Sequence, residues 1–101
     1  MYGDSTMCAT VEKIKIKPGK LQESIDIMEK LRSEVQRIPG RVKMIDIWND
    51  DGVEYVINIW ESPEAKAAAA SKVDEIGAQF GDIFEAFKAE DFQNVEFVID
   101  K

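Results

Sequence analysis

Hydrophobic and polar positions alternate from Met7 to Lys17, with Cys8, Thr10, Glu12, Ile14 and Ile16 on one side and Ala9, Val11, Lys13, Lys15 and Lys17 on the other. A period of two predicts a strand, and Pro18-Gly19 breaks it. The period then lengthens. Between Lys20 and Ile38 the apolar residues Leu21, Ile25, Met28, Leu31, Val35 and Ile38 recur at spacings of three and four, which places them on one stripe of a helix. Pro39-Gly40 stops that helix, because proline lacks the next amide and glycine tolerates a reversed backbone.

Arg41 to Asn49 and Val53 to Trp60 each read as a strand with apolar residues on both faces, joined by the turn Asn49-Asp50-Asp51-Gly52. Ser62-Pro63-Glu64 then carries a helix start: a capping hydroxyl, a proline at the first helical position and an acid facing the dipole. An alanine-rich short helix follows, Ser71-Lys72-Val73-Asp74 reads as a second cap, and Val73, Ile76, Gly77, Phe80, Ile83, Phe84 and Phe87 fall on one stripe of a longer helix. Phe92 to Asp100 reads as a last strand. The order βαββααβ predicts an α+β fold, a four-stranded antiparallel sheet with helices on one face. It forms a single domain over 7–101 after a short flexible tail, 1–6. The sheet's other face is apolar too, and a chain of 101 residues has nothing left to cover it. A second copy is the simplest cover, so a homodimer is expected.

Composition removes several classes of function. The chain has no histidine, which excludes a histidine general base, metal ligand or haem ligand. A net charge of −7 works against nucleic acid, whose binding draws on neutralised phosphates, and the aromatic strand motif of RNA-recognition sheets is missing. No apolar run approaches the ~20 residues of a bilayer span, and the first residues lack the basic and apolar segments of a secretory signal. Cys8 stands alone, so an internal disulfide is impossible and a cytoplasmic protein is the expectation. It has no basic neighbour to activate it. Lys13, Lys15 and Lys17 read as the wet edge of the first strand, and Asp50-Asp51-Gly52 is too short for a calcium loop.

The strand ending in Trp60, followed by Glu61-Ser62 and a short helix, resembles the antibiotic-biosynthesis-monooxygenase group of dimeric α/β-barrel proteins. So do the Ile16-Lys17-Pro18-Gly19-Lys20 entry to the first helix and its Ile38-Pro39-Gly40 exit. The resemblance runs from about Cys8 to Asp100. It implies a ferredoxin-like dimeric barrel and a family that includes cofactor-independent oxygenases of quinols or aromatic polyketides, haem-degrading oxygenases and proteins without known activity. The haem-degrading branch has an asparagine on the first strand and a histidine on the helix after the tryptophan. Here Glu12 takes the asparagine's place and alanines near Ala70 take the histidine's, so haem degradation is not expected. The polyketide-oxidising branch pairs its tryptophan with asparagine, tyrosine and arginine; Asn58 and Tyr55 lie near Trp60, at other spacings.

Two functions remain in view. One is a monooxygenase-like enzyme without cofactor or metal that holds a small flat aromatic between sheet and helices. Trp60, Asn58 and Glu12 would be its catalytic residues. Trp60 supplies an aromatic wall, Asn58 an amide on the same side of its strand, and Glu12 a general base if buried. Met28, Tyr55, Phe80 and Phe84 would bind the ring. The other is a non-catalytic dimeric binding or structural protein of the same fold, in which Trp60 and the phenylalanines are ordinary core and Glu12 is exposed.

Overall fold

A computed structural model describes residues 6–98. The expected tail therefore lies largely outside the described residues; Thr6 lies within them, and its Oγ1 donates to the Glu61 carbonyl at 3.0 Å. The elements run β1 (Cys8–Ile16), α1 (Leu21–Gln36), β2 (Arg41–Trp48), β3 (Val53–Trp60), α2 (Pro63–Ala68), α3 (Ala70–Ala78) and β4 (Phe84–Phe92). They build the expected antiparallel sheet, in the order β2-β3-β1-β4, with the helices on one face.

The turn chemistry works as the residues dictate. Asn49 closes the β2–β3 hairpin by accepting at Oδ1 from the amides of Asp51 (3.0 Å) and Val53 (3.2 Å), and Gly52 takes φ +79°. Gly40 sits at φ +80°, and a Cβ there would lie 2.5 Å from the Ala65 Cβ. Only glycine lets α2 come this close to the start of β2. Ser62 caps α2 by accepting from the Ala65 amide at 3.1 Å. Ser71 caps nothing, because α3 continues from Ala69 without a side-chain cap.

Two expectations are corrected. The long final helix ends at Ala78, and the chain turns through Gly81 (φ +59°) into β4. Phe84 and Phe87 are strand residues, and the last strand covers Phe84–Phe92 instead of Phe92–Asp100, whose last residues lie outside the described ones. A register shift explains the false helical stripe. Ala86 faces Lys15 and Phe84 faces Ile16, so an irregularity there alters the alternation and two residues three apart both face inward. The segment FEAFKAEDF also contains no β-branched residue, so pairing with β1 overrides a helical preference. Second, the lysines of β1 are not on an edge: β1 is central, between β3 and β4. Lys13 lies over the Tyr55 ring, 5.8 Å from its centroid, Lys15 donates to the Asp51 carbonyl, and Lys17 pairs with Asp82 at 3.7 Å.

Buried side chains gather between sheet and helices in two groups. Cys8, Val35, Ile38, Trp60, Ala69 and Ile76 form one, and Ile14, Ile16, Val56 and Ile83 the other, with Met44 packed against both. The opposite face is open and carries an apolar patch beside Lys13, Lys15, Lys43 and Lys88. Ile45 pairs across to Ile57 and on to Val11, and Ile47 pairs to Tyr55. Ile45, Ile47 and Tyr55 remain 40%, 57% and 38% exposed. An exposed apolar patch of this kind is where association is expected. Light scattering should give twice the 11.4 kDa chain mass, and Ile45→Lys with Ile47→Lys should return the single-chain mass without unfolding. A wild-type mass of one chain at micromolar concentration would contradict this.

Candidate functional site

β3 carries the site. Its alternation sends Glu54, Val56, Asn58 and Trp60 toward the helices, where all four line one cavity of about 310 Å³. That volume is at the small end of ligand pockets. β1 adds Glu12 and Ile14, β2 adds Arg41 and Met44, α1 adds Met28 and Val35, and α3 adds Val73, Asp74, Ile76 and Gly77. Phe80, Phe84 and Phe87 complete the wall. Phe80 and Phe84 stack at 5.2 Å between centroids with 26° between planes. Val73 and Phe87 are 42% and 57% exposed, which puts an apolar mouth between α3 and β4.

Six of the seven residues singled out from the sequence meet here: Glu12, Asn58, Trp60, Met28, Phe80 and Phe84. Tyr55 does not. Its odd position on β3 turns it to the open face, opposite Lys13. Trp60 is both wall and core, 4% exposed and packed in the group with Val35 and Ile76. Asn58 donates to Glu12 Oε1 at a long 3.5 Å. Arg41, next to Trp60 across the β2–β3 pairing, is tied by its Nε to the Val35 carbonyl at 2.9 Å.

The sequence reading missed the buried acids. Glu12, Val56 and Asp46 share one cross-strand row of the inner face, and Glu54 is the next inward residue of β3. Burial pushes the Glu12 carboxyl above its ordinary range; the Lys66 ammonium opposes this and the Asp46 charge adds to it. Lys66 is engaged by Asp91 at 2.7 Å, a contact that links α2 to β4 and, with Thr10, holds the Asp91 carboxyl below its usual range. Glu54 is only 5% exposed. Burial, a hydrogen bond with Asp46, and the charges of Asp46 and Glu12 push its pKa up to about 9. Behind it a second pocket of about 20 Å³ touches Ser24, Asp46, Trp48 and Glu54, room for one water. Among the described residues no cluster of metal-ligating side chains occurs, and no helix is long and apolar enough to cross a membrane.

The Glu54 shift has a sign that can be measured. The folded state holds a proton that the unfolded chain releases near pH 4.5. The stabilisation from neutral Glu54 is therefore full below pH 4.5 and is lost as pH rises to about 9. One proton limits the slope to about 1.4 kcal/mol per pH unit. Unfolding free energy should fall from pH 5 to 9 in wild type, and Glu54→Gln should flatten that fall. Equal slopes in the two proteins would show that Glu54 holds no such proton.

No protein-family profile matches the chain, and no curated protein matches it. Solved structures do. A Caulobacter crescentus protein with a provisional antibiotic biosynthesis monooxygenase assignment aligns over 91% of this chain and 92% of its own, with TM-score 0.78 and 22% identity. SnoaB, a cofactor-independent oxygenase from Streptomyces nogalater, aligns over 94% of this chain and 99% of its own, with TM-score 0.77 and 13% identity. A conserved Methanosarcina mazei protein aligns over 90% and 95%, with TM-score 0.78 and 14% identity. The chain has the ferredoxin-like fold of the antibiotic biosynthesis monooxygenase structures.

Proposed function

We propose that this protein is a cofactor-independent monooxygenase-like enzyme that binds a small, flat, hydroxylated aromatic in the cavity between sheet and helices of each subunit of a homodimer. The observation that carries the reading is the cavity itself: about 310 Å³, walled by Trp60, Phe80, Phe84 and Met28, with Glu12 and Asn58 on its sheet side. Aromatic and aliphatic walls receive a ring, and the carboxyl and amide fix its hydroxyl. The likeness in fold to a cofactor-independent oxygenase supports the same reading.

The chemistry asks little of the protein beyond position and dryness. A phenolic ring that loses its hydroxyl proton becomes an electron-rich anion able to reduce dioxygen. One oxygen atom enters the ring, the other leaves as water, and the phenol becomes a quinone, so the ring supplies every electron and no cofactor is consumed. The site contributes a ring held in register, water excluded by apolar walls, and a proton removed. Trp60 sets the ring plane, while Asn58 and Glu12 hold its oxygen.

Trp60→Ala separates this from a purely structural role. Truncating a side chain so buried should lower stability by roughly 3–5 kcal/mol, and should weaken binding of 1-naphthol by about 1–3 kcal/mol. Trp60→Phe should keep the fold and most of the affinity. Denaturant unfolding, calorimetric titration and oxygen uptake with 1-naphthol read the three effects. A stability loss with unchanged affinity would leave Trp60 as core alone. Binding without oxygen uptake would favour a non-catalytic binding protein.

A further inference from the structure

Among the described residues Arg41 is the single basic side chain lining the cavity, and the oxygenation chemistry gives it no role. Its place on the inner wall depends on an irregularity of the sheet. Lys43, Ile45 and Ile47 pair with Ile59, Ile57 and Tyr55, none of which lines the cavity. Continued alternation would send Arg41 to that same side. The register instead shifts between Arg41 and Lys43, which sets Arg41 opposite Trp60 and on the cavity wall. Bulges of this kind re-aim a side chain.

The guanidinium is anchored at one nitrogen. Its Nε donates to the Val35 carbonyl at 2.9 Å, in the last turn of α1, a turn with no basic residue of its own. That bond fixes the plane of the fork. Among the described residues both terminal nitrogens donate to nothing, and no carboxylate forms an ion pair with Arg41. A half-buried guanidinium whose bidentate edge is unused is suited to an oxyanion. The acids of the wall do not fill this role. Glu12 pairs with Val56, four residues along β3 from Trp60 and about 13 Å away at the strand rise; Glu54 lies six residues along, about 20 Å. Asp74 on α3 is exposed, where solvent screens its charge. The cavity therefore has a basic end beside Trp60 and an acidic end at Glu54.

We propose that Arg41 forms a carboxylate-binding subsite, which makes the ligand of this cavity a hydroxylated aromatic acid. Both terminal nitrogens of Arg41 grip the carboxylate, the ring lies against Trp60, and the hydroxyl reaches Asn58 and Glu12. The inference rests on the reading that the cavity binds a hydroxylated ring, and adds the ring's second polar group. Asn58 is two residues from Trp60, about 7 Å along the strand. Acid and hydroxyl therefore belong at opposite ends of the ring system, not on neighbouring carbons. The planar fork matches a planar carboxylate and neutralises it, so the acid is favoured over a neutral ester of the same shape.

The test uses 6-hydroxy-2-naphthoate, its methyl ester and 2-naphthol with the full-length protein, read by calorimetric titration. The ester has the acid's shape without its charge, and 2-naphthol has the ring and hydroxyl alone. Wild type should bind the acid at least about tenfold more tightly than the ester. Arg41→Gln should erase that preference and leave the affinity for 2-naphthol within a few-fold. Arg41→Lys keeps the charge without the fork and should keep only part of the preference; it carries the mutational test if Arg41→Gln does not fold. Acid and ester bound equally by wild type, or a preference undiminished in the variants, would overturn the subsite and, with 2-naphthol still bound, leave the aromatic-binding reading standing. An equal loss of affinity for all three probes in the variants would assign Arg41 to the fold alone and overturn the subsite too. No binding of any probe by wild type would overturn both readings.

Discussion

Carboxyl groups lie where a small domain would ordinarily close its core. Glu54 on the inner strand β3 and Asp46 on the edge strand β2 stand at diagonal positions of the sheet's inner face, and Glu12 completes the cluster around Val56. Burying one ionised carboxyl costs many kcal/mol unless it is paired or neutral, and burial beside Asp46 and Glu12 pushes the Glu54 pKa up to about 9. The inner face is therefore not free to pack dry against the helices. Its apolar residues divide into two groups, one around Trp60 and one around Ile14 and Val56, and the cavity touches members of both. Site and core are one set of residues seen from two sides.

Trp60 shows how this division shapes function. The Gly40–Ala65 approach and the Ser62 cap set α2 immediately after β3, so the chain turns within two residues of the tryptophan. Trp60 belongs to the buried group with Val35, Ile38, Ala69 and Ile76, and its side chain also lines the open volume. Trp60 and the stacked Phe80–Phe84 pair bound the cavity in which the proposed flat ligand would sit. These features support the proposed hydroxylated aromatic ligand.

Much of this was legible in the residues. Val53 to Trp60 shows its bounds in the sequence because two breakers frame an alternating run, and its parity alone puts Asn58 and Trp60 together. The same parity puts Tyr55 on the other face. β4 was illegible for a physical reason: its alternation is broken opposite Lys15 and Ile16, and its residues prefer helix, so only pairing with β1 makes it a strand. Glu54 and Asp46 were missed because a charged residue on a strand is normally solvated. Their burial depends on α1 and on the β2–β3 register, and neither shows in the local pattern.

The central claim is that Glu54 keeps its proton at neutral pH inside the site. Carbon-13 NMR of the glutamate side-chain carboxyls, followed from pH 4 to 10 in wild type and Glu54→Gln, tests it most directly. The account predicts one glutamate resonance that stays protonated through pH 7, titrates at about 9 and is absent from the variant. Complete ionisation of every glutamate well below pH 7 would contradict it.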